Sequence, residues 1–295
     1  MCIAEQAIET ASRGSEDGGV QRMRVTFHGV RGSTPAVGAA TSRYGGNTAC
    51  VSIDAAGCPP IVIDLGTGVR NYGATVKGAF EGILLLTHLH WDHIQGLPFF
   101  APLLSPLANA RLIGPPQPGE GSLRDVLARV VRPPFFPVAL KDLCVGVSIE
   151  ELDRGQIQAG SASITAARVD HPGPTNAYRV DHEGASVAYV SDHQQPVDGD
   201  ISAELLRLVD GVDLLIHDAQ YTDDEFVGKS DWGHSTVGFA VEVALAAGVG
   251  TLALFHHDPS RDDDGVDELL GLAQSMVESD DLTVIAASEG LTLAL

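Results

Sequence analysis

The chain has 295 residues, 44% of them hydrophobic, and carries 18 basic against 39 acidic residues for a net charge of −21. That apolar content fills a substantial core and excludes disorder throughout. An acidic surface aids solubility and repels long polyanions, since nucleic-acid binding needs a basic face for counterion release, so small substrates are favoured.

Residues 1–22 are small, polar and glycine-rich, without the basic and apolar regions of a secretory signal. They read as a flexible leader, with 23–295 as a single domain. Cys2, Cys50, Cys58 and Cys144 are widely spaced with no CxxC pair, so they read as reduced thiols of a cytoplasmic protein rather than metal ligands. No apolar run reaches the roughly 18 residues of a membrane span.

From residue 23 the pattern alternates. MRVTFHGV, ACVSID, PIVID and GILLLT are short β-rich runs bounded by Gly, Pro and Asn, and 67–77 reads as a helix between two of them. The middle, 97–160, contains GPPQPGEGS and RPPFFP and shows one helix, near 123–131. Its composition would fit a weak linker, yet chemistry-bearing residues on both sides argue that the two halves form one unit. SITAARV, NAYRV and SVAYVS follow as strands, then a helix over 202–209, the strand VDLLIH, a helix over 235–247 and the strand TLALFH. A helix over 262–278 and the strands LTVIA and LTLAL close the chain. Two sheets built from two αβ halves and covered outside by helices account for this order.

Directly after GILLLT the chain reads Thr87, His88, Leu89, His90, Trp91, Asp92, His93. A strand end is where an α/β sheet places its ligand crevice. On extended chain, residues two apart point the same way, so His88 and His90 reach one ion. Where the chain turns helical, Asp92 and His93 project toward a second. Imidazole with carboxylate suits zinc, manganese or ferrous iron. Two catalytic ions need more ligands, including a bridging carboxylate. His171, Asp192 and His256 each follow a strand-like run and complete the set, with a one-residue slip to His257 left open. His193 reads as a supporting or exposed residue.

THLHWDH, the isolated His171, YVSDH and LFHHD, in that order, resemble the ligand motifs of the metallo-β-lactamase superfamily over residues 23–295. The resemblance implies an α/β fold, a four-layer αββα sandwich, and two divalent metal ions, zinc first, with manganese or iron as alternatives. It places His88, His90 and His171 on the first ion, Asp92, His93 and His256 on the second, and Asp192 between them. FHGVRGSTP, RYGGNT, IHDAQY and GHST resemble the branch containing tRNase Z and cyclic-nucleotide phosphodiesterases. By that resemblance His234 is the general acid and Asp218 its orienter, Asp standing where Glu is common, and Asp92 joins them in the catalytic set. Ser235 or Thr236 equally fits a helix cap. RYGGNT and GVRGS bring glycine and Asn47 for either a tight turn or close backbone approach to a ligand.

The implied reaction is phosphodiester hydrolysis by a metal-bridging hydroxide with His234 as acid, on a small substrate such as a 3′,5′-cyclic nucleotide. The alternatives are tRNA 3′-end cleavage, thioester or lactone hydrolysis, and a non-catalytic nucleotide sensor. The cations of 97–160 are scattered, unlike the basic arm with which tRNase Z holds tRNA. A homodimer is expected from the resemblance alone.

Overall fold

The computed structural model describes residues 23–278 and 281–295. The expected leader, 1–22, lies outside the described residues. In one seven-stranded sheet, β1 (Met23–Gly29), β2 (Cys50–Ala55), β3 (Ile61–Ile63), β4 (Glu81–Leu85), β5 (Asn109–Gly114), β6 (Val147–Glu151) and β14 (Thr292–Ala294) run in the order β14-β1-β2-β3-β4-β5-β6. In the other, β7 (Gly155–Ala159), β8 (Ala162–Arg168), β9 (Asn176–His182), β10 (Ala185–Val190), β11 (Leu214–Asp218), β12 (Thr251–Phe255) and β13 (Thr283–Ala286) run β13-β12-β11-β10-β9-β8-β7.

The sheets pack face to face. Val25, Phe27, Ile53, Ile83 and Leu85 of one meet Tyr178, Val187, Tyr189, Ile216 and Phe255 of the other. In β1 the alternation is visible: Met23, Val25, Phe27 and Gly29 are buried while Arg24 is exposed, as period-2 geometry requires. All six residues of β10 are buried, because helices cover its second face.

Those helices make the outer layers. Val69 and Tyr72 of α1 (Val69–Thr75), Leu127 of α3 (Leu123–Val130) and Leu140 of α4 (Leu140–Leu143) cover Val62, Leu84 and Leu112 of the first sheet. On the second sheet, Leu205 of α5 (Ala203–Val209), Phe239 of α7 (Val237–Ala246) and Leu269 of α8 (Asp263–Ser275) cover Ala188, Leu215 and Leu252. The fold is a four-layer αββα sandwich. Two short helices, α2 (Trp91–Ile94) and α6 (Asp223–Phe226), sit in the connecting loops.

Local chemistry sets the helix starts. Ser202, Thr236 and Asp262 cap α5, α7 and α8, each side chain accepting from a backbone N–H three residues on. Of the two cap candidates at α7, Thr236 is the cap; the Ser235 hydroxyl donates instead to the His193 carbonyl at 2.7 Å.

Region 97–160 supplies β5, β6 and β7: β5 pairs in parallel with β4, the strand that precedes the histidine loop, and β6 pairs in parallel with β5. The closing strands part company, β13 pairing with β12 and β14 crossing to pair antiparallel with β1.

Parallel pairing orients the functional end. β3, β4, β5 and β6 are parallel, as are β10, β11, β12 and β13. Most of the chemistry-bearing residues lie at or just after the carboxyl ends of β3, β4, β10, β11 and β12, the position of the ligand crevice in such sheets.

Candidate metal centre

His88 and His90 leave β4 on extended chain, and His90 precedes α2 with φ −63° and ψ 152°. The turn into α2 then carries Asp92 and His93 to the adjoining position. His171 arrives from the loop after β8, Asp192 from the end of β10, and His256 from the end of β12. All seven predicted ligands converge in two overlapping groups: His88, His90, His171 with Asp192, and Asp92, His93, His256 with Asp192, the ligand atoms of each group lying within 4.8 Å of one another.

Asp192 belongs to both groups. Its Oδ1 lies 3.2 Å from His93 Nε2 and 3.3 Å from His256 Nε2; its Oδ2 lies 3.6 Å from His171 Nε2 and 3.7 Å from His88 Nε2. Asp92 Oδ2 closes the second group at 3.2 Å from His93 Nε2 and 3.1 Å from His256 Nε2. His90 enters through Nδ1, 3.1 Å from His171 Nε2.

The imidazole tautomers are fixed from behind. His93 Nδ1 donates to Asp64 at 2.8 Å, His171 Nδ1 to the Gly233 carbonyl at 2.7 Å, and His256 Nδ1 to Gln220 Oε1 at 2.8 Å. His88 Nδ1 sits 3.0 Å from the Thr87 hydroxyl, which reaches Asp64. Each ring therefore turns its Nε2 lone pair inward. Nε2 of His88 is buried and has no hydrogen-bond partner, a costly arrangement unless a cation takes it. Buried imidazole nitrogens and two carboxylates suit divalent ions.

Left-handed backbone is concentrated here. Of the four non-glycine residues with positive φ among those described, Ser33 (57°), Asp64 (61°) and His256 (59°) all belong to the centre, a costly conformation retained where it aims functional groups. Ser33 directs its N–H to Asp92 Oδ2 at 2.7 Å. Gly32 must be glycine because an added Cβ would stand 2.3 Å from His256 Cε1.

Charge follows from burial and neighbours. Burial pushes the His88 and His171 imidazoles below their ordinary value against the pull of Asp192, which keeps them neutral. Burial also opposes a charged His93, but Asp92, Asp192 and Asp64 outweigh it and raise that group. Asp192 is held well below the carboxylate range by His256 and His93 despite its burial.

His234 stands beside the second group, its ring stacked on His256 with centroids 4.8 Å apart. Its Nδ1 donates to Asp218 Oδ2 at 2.8 Å, so the shorter carboxylate arm still reaches. Burial disfavours the His234 cation, yet Asp218, helped by Asp192 and Asp92, lifts its pKa to about 9. Asp218 is itself fixed by the N–H groups of Gln220 at 3.1 Å and His193 at 3.3 Å.

Other sequence candidates fall outside the cluster. His257 turns away to donate to the Ala287 carbonyl at 2.9 Å, so His256 alone of the pair faces the carboxylates. His193 is buried against His217, Nδ1 to Nε2 3.4 Å. Asn47 binds Glu289 at 3.0 Å and serves the turn rather than the cleft. Sequence reasoning missed Asp64 and Gln220, which hold two of the rings. A signal existed for Asp64, an acid closing the apolar run PIVID.

Residues 74–257 match the beta-lactamase superfamily domain. The chain belongs to that superfamily. It is a hydrolase of the metallo-β-lactamase fold, and its His/Asp cluster suits divalent metals. It is 26% identical over 309 aligned residues to Ribonuclease Z of Haloarcula marismortui, covering 91% of this chain and 96% of that one. The metallo-β-lactamase fold protein YhfI from Bacillus subtilis superposes with TM-score 0.70 at 18% identity, covering 92% and 98% of the two chains. Human tRNase Z, short form, superposes with TM-score 0.64 at 20% identity, covering 92% and 98%. Among the described residues no helix is long and apolar enough to cross a membrane.

Proposed function

We propose that this hydrolase cleaves small phosphodiesters, most readily 3′,5′-cyclic nucleotides, with the seven clustered residues holding two divalent ions, zinc foremost. The observation that carries the reading is His234: a buried imidazole, hydrogen-bonded through Nδ1 to Asp218 at 2.8 Å, lining the same cleft as His90, Asp92, Asp192 and His256. When bound, two such ions activate water at neutral pH and neutralise charge that builds on phosphorus.

The protein groups do the rest. The His234–Asp218 hydrogen bond occupies Nδ1 and leaves Nε2 for the cleft. As water oxygen bonds to phosphorus and the P–O bond to the leaving group breaks, Nε2 gives its proton to that departing oxygen, which leaves as an alcohol. A thioester, whose thiolate departs without protonation, has less need of such an acid, which favours the diester over that substrate. Ser33, through its N–H, orients the Asp92 carboxylate. A cleft of about 570 Å³ is of the size that holds a mononucleotide.

A second reading, RNA 3′-end cleavage, is favoured by the near full-length similarity to Ribonuclease Z. The net charge of −21 and the scattered cations of 97–160 count against a long polyanion. We place the protein in the cytoplasm, without a membrane partner, and as a homodimer on the resemblance alone.

One panel on metal-reconstituted protein tests the reading: cyclic AMP, cyclic GMP, bis(p-nitrophenyl) phosphate, precursor tRNA and a thioester. Turnover of the small diesters without tRNA cleavage supports it. Cleavage of tRNA alone, or of the thioester alone, overturns it, as does nucleotide binding without turnover.

A further inference from the structure

The sequence contains two tryptophans, and both line the metal cleft. Trp91 lies between His90 and Asp92 and is 61% exposed; Trp232 lies two residues before His234 and is 59% exposed. Large aromatic rings usually contribute to a core, where their burial stabilises most. Neither ring does so here.

The backbone carrying each ring is nevertheless held firmly. Trp91 is flanked by two residues of the clustered centre. Trp232 is bracketed by Gln194, whose side chain donates to the Ser230 carbonyl and accepts from the Gly233 N–H at 2.6 Å. The Lys229 ammonium lies 5.6 Å from the Trp232 ring and 4.4 Å from that of Tyr221, a cation–π contact that steadies the indole. Two rings on fixed backbone, left in solvent beside a reactive centre, are preorganised for a ligand.

Charge narrows what that ligand is. Among the described residues no lysine or arginine lines the cleft, whereas Asp92, Asp192 and Asp258 do. Beyond the ions and the His234 imidazolium no cation faces the substrate, so the exposed aromatic walls carry much of the remaining attraction.

We propose that Trp91 and Trp232 form a stacking subsite for a planar heterocycle, so that the substrates are phosphodiesters of nucleosides rather than of alkyl or glycerol alcohols. This rests on the phosphodiesterase reading above. Stacking accepts any base, because every base offers a π-face. Purines, with the larger face, are preferred over pyrimidines.

Since the indoles are the chain's only ones, tryptophan emission reports on this subsite alone. Zinc-loaded full-length protein titrated with adenosine 5′-monophosphate should lose emission, while ribose 5-phosphate should not quench it. Trp91→Leu and Trp232→Leu should each raise KM for cyclic AMP roughly tenfold, with a smaller change in kcat, and Trp→Phe should restore KM. Equal quenching by ribose 5-phosphate, or unchanged KM in both leucine variants, overturns the subsite. If the wild type turns over no phosphodiester, the reaction assignment falls, and the two quenching titrations still decide the subsite.

Discussion

The carboxylate of Asp218 accepts from Nδ1 of His234 at 2.8 Å, both side chains buried at the edge of the clustered centre. The contact fixes the tautomer and holds the imidazole protonated at neutral pH. Replacing His234 by Ala should lower kcat by about 10²–10⁴ on a diester with an alkoxide leaving group. On bis(p-nitrophenyl) phosphate, whose phenolate leaves without help, the loss should be far smaller. Metal content should stay at the wild-type level. Asp218→Asn removes the charge that offsets burial, so the limb of the kcat profile that falls as pH rises should move to lower pH with little change in KM. An unmoved limb contradicts the pairing.

His93 gives a second prediction. Its neighbours Asp92, Asp192 and Asp64 raise its proton affinity in the metal-free protein, but a ligand imidazole must be neutral. Metal uptake near pH 7 should therefore release protons. Calorimetry in two buffers of different ionisation enthalpy reads this directly: the observed enthalpies should differ in proportion to the protons handed to buffer. Identical enthalpies would mean that His93 is already neutral.

Gly32 is the third. The space for its missing Cβ is filled by the His256 imidazole, 2.3 Å from Cε1. Gly32→Ala should push that ring off its position and reduce metal content from two ions per chain to one, by mass spectrometry of the dialysed protein. Retention of both ions would show that the ring yields without losing its ligand role.

Much of this centre was legible in the sequence for a simple reason. His88, His90, Asp92 and His93 are adjacent, and His171, Asp192 and His256 each end an apolar run, so strand periodicity alone marks where they emerge. Asp64, Gln220 and Gly32 act through contacts across 29, 36 and 224 residues of chain, and no local pattern announces such partners. β5, β6 and β7 were all missed in the proline-rich middle of the chain; in β7 only Ala159 of five residues is buried, which erases the alternation that betrays a strand. β14 was read as a strand, but its choice of sheet depends on β1, at the far end of the chain.

His28 supplies a stability prediction remote from the metals. Its ring bonds the Ser52 hydroxyl at 2.8 Å, and burial lowers its pKa to about 4 despite Asp54. The folded protein thus holds it neutral, whereas the unfolded chain protonates it below about 6.5. Its contribution is intact above pH 6.5 and is lost as pH falls toward 4, up to about 3 kcal/mol in all. Denaturant titrations of His28→Gln should show a shallower loss of stability across that window than the wild type. Parallel curves would contradict the assignment.

The most direct test concerns Asp192, whose two oxygens face different histidine groups. Crystals of the zinc-loaded protein measured at the zinc absorption edge should give two anomalous peaks, one on each side of the Asp192 carboxylate. One peak should lie among His88, His90 and His171, and the other among Asp92, His93 and His256. A single peak, none, or peaks away from Asp192 would contradict the account.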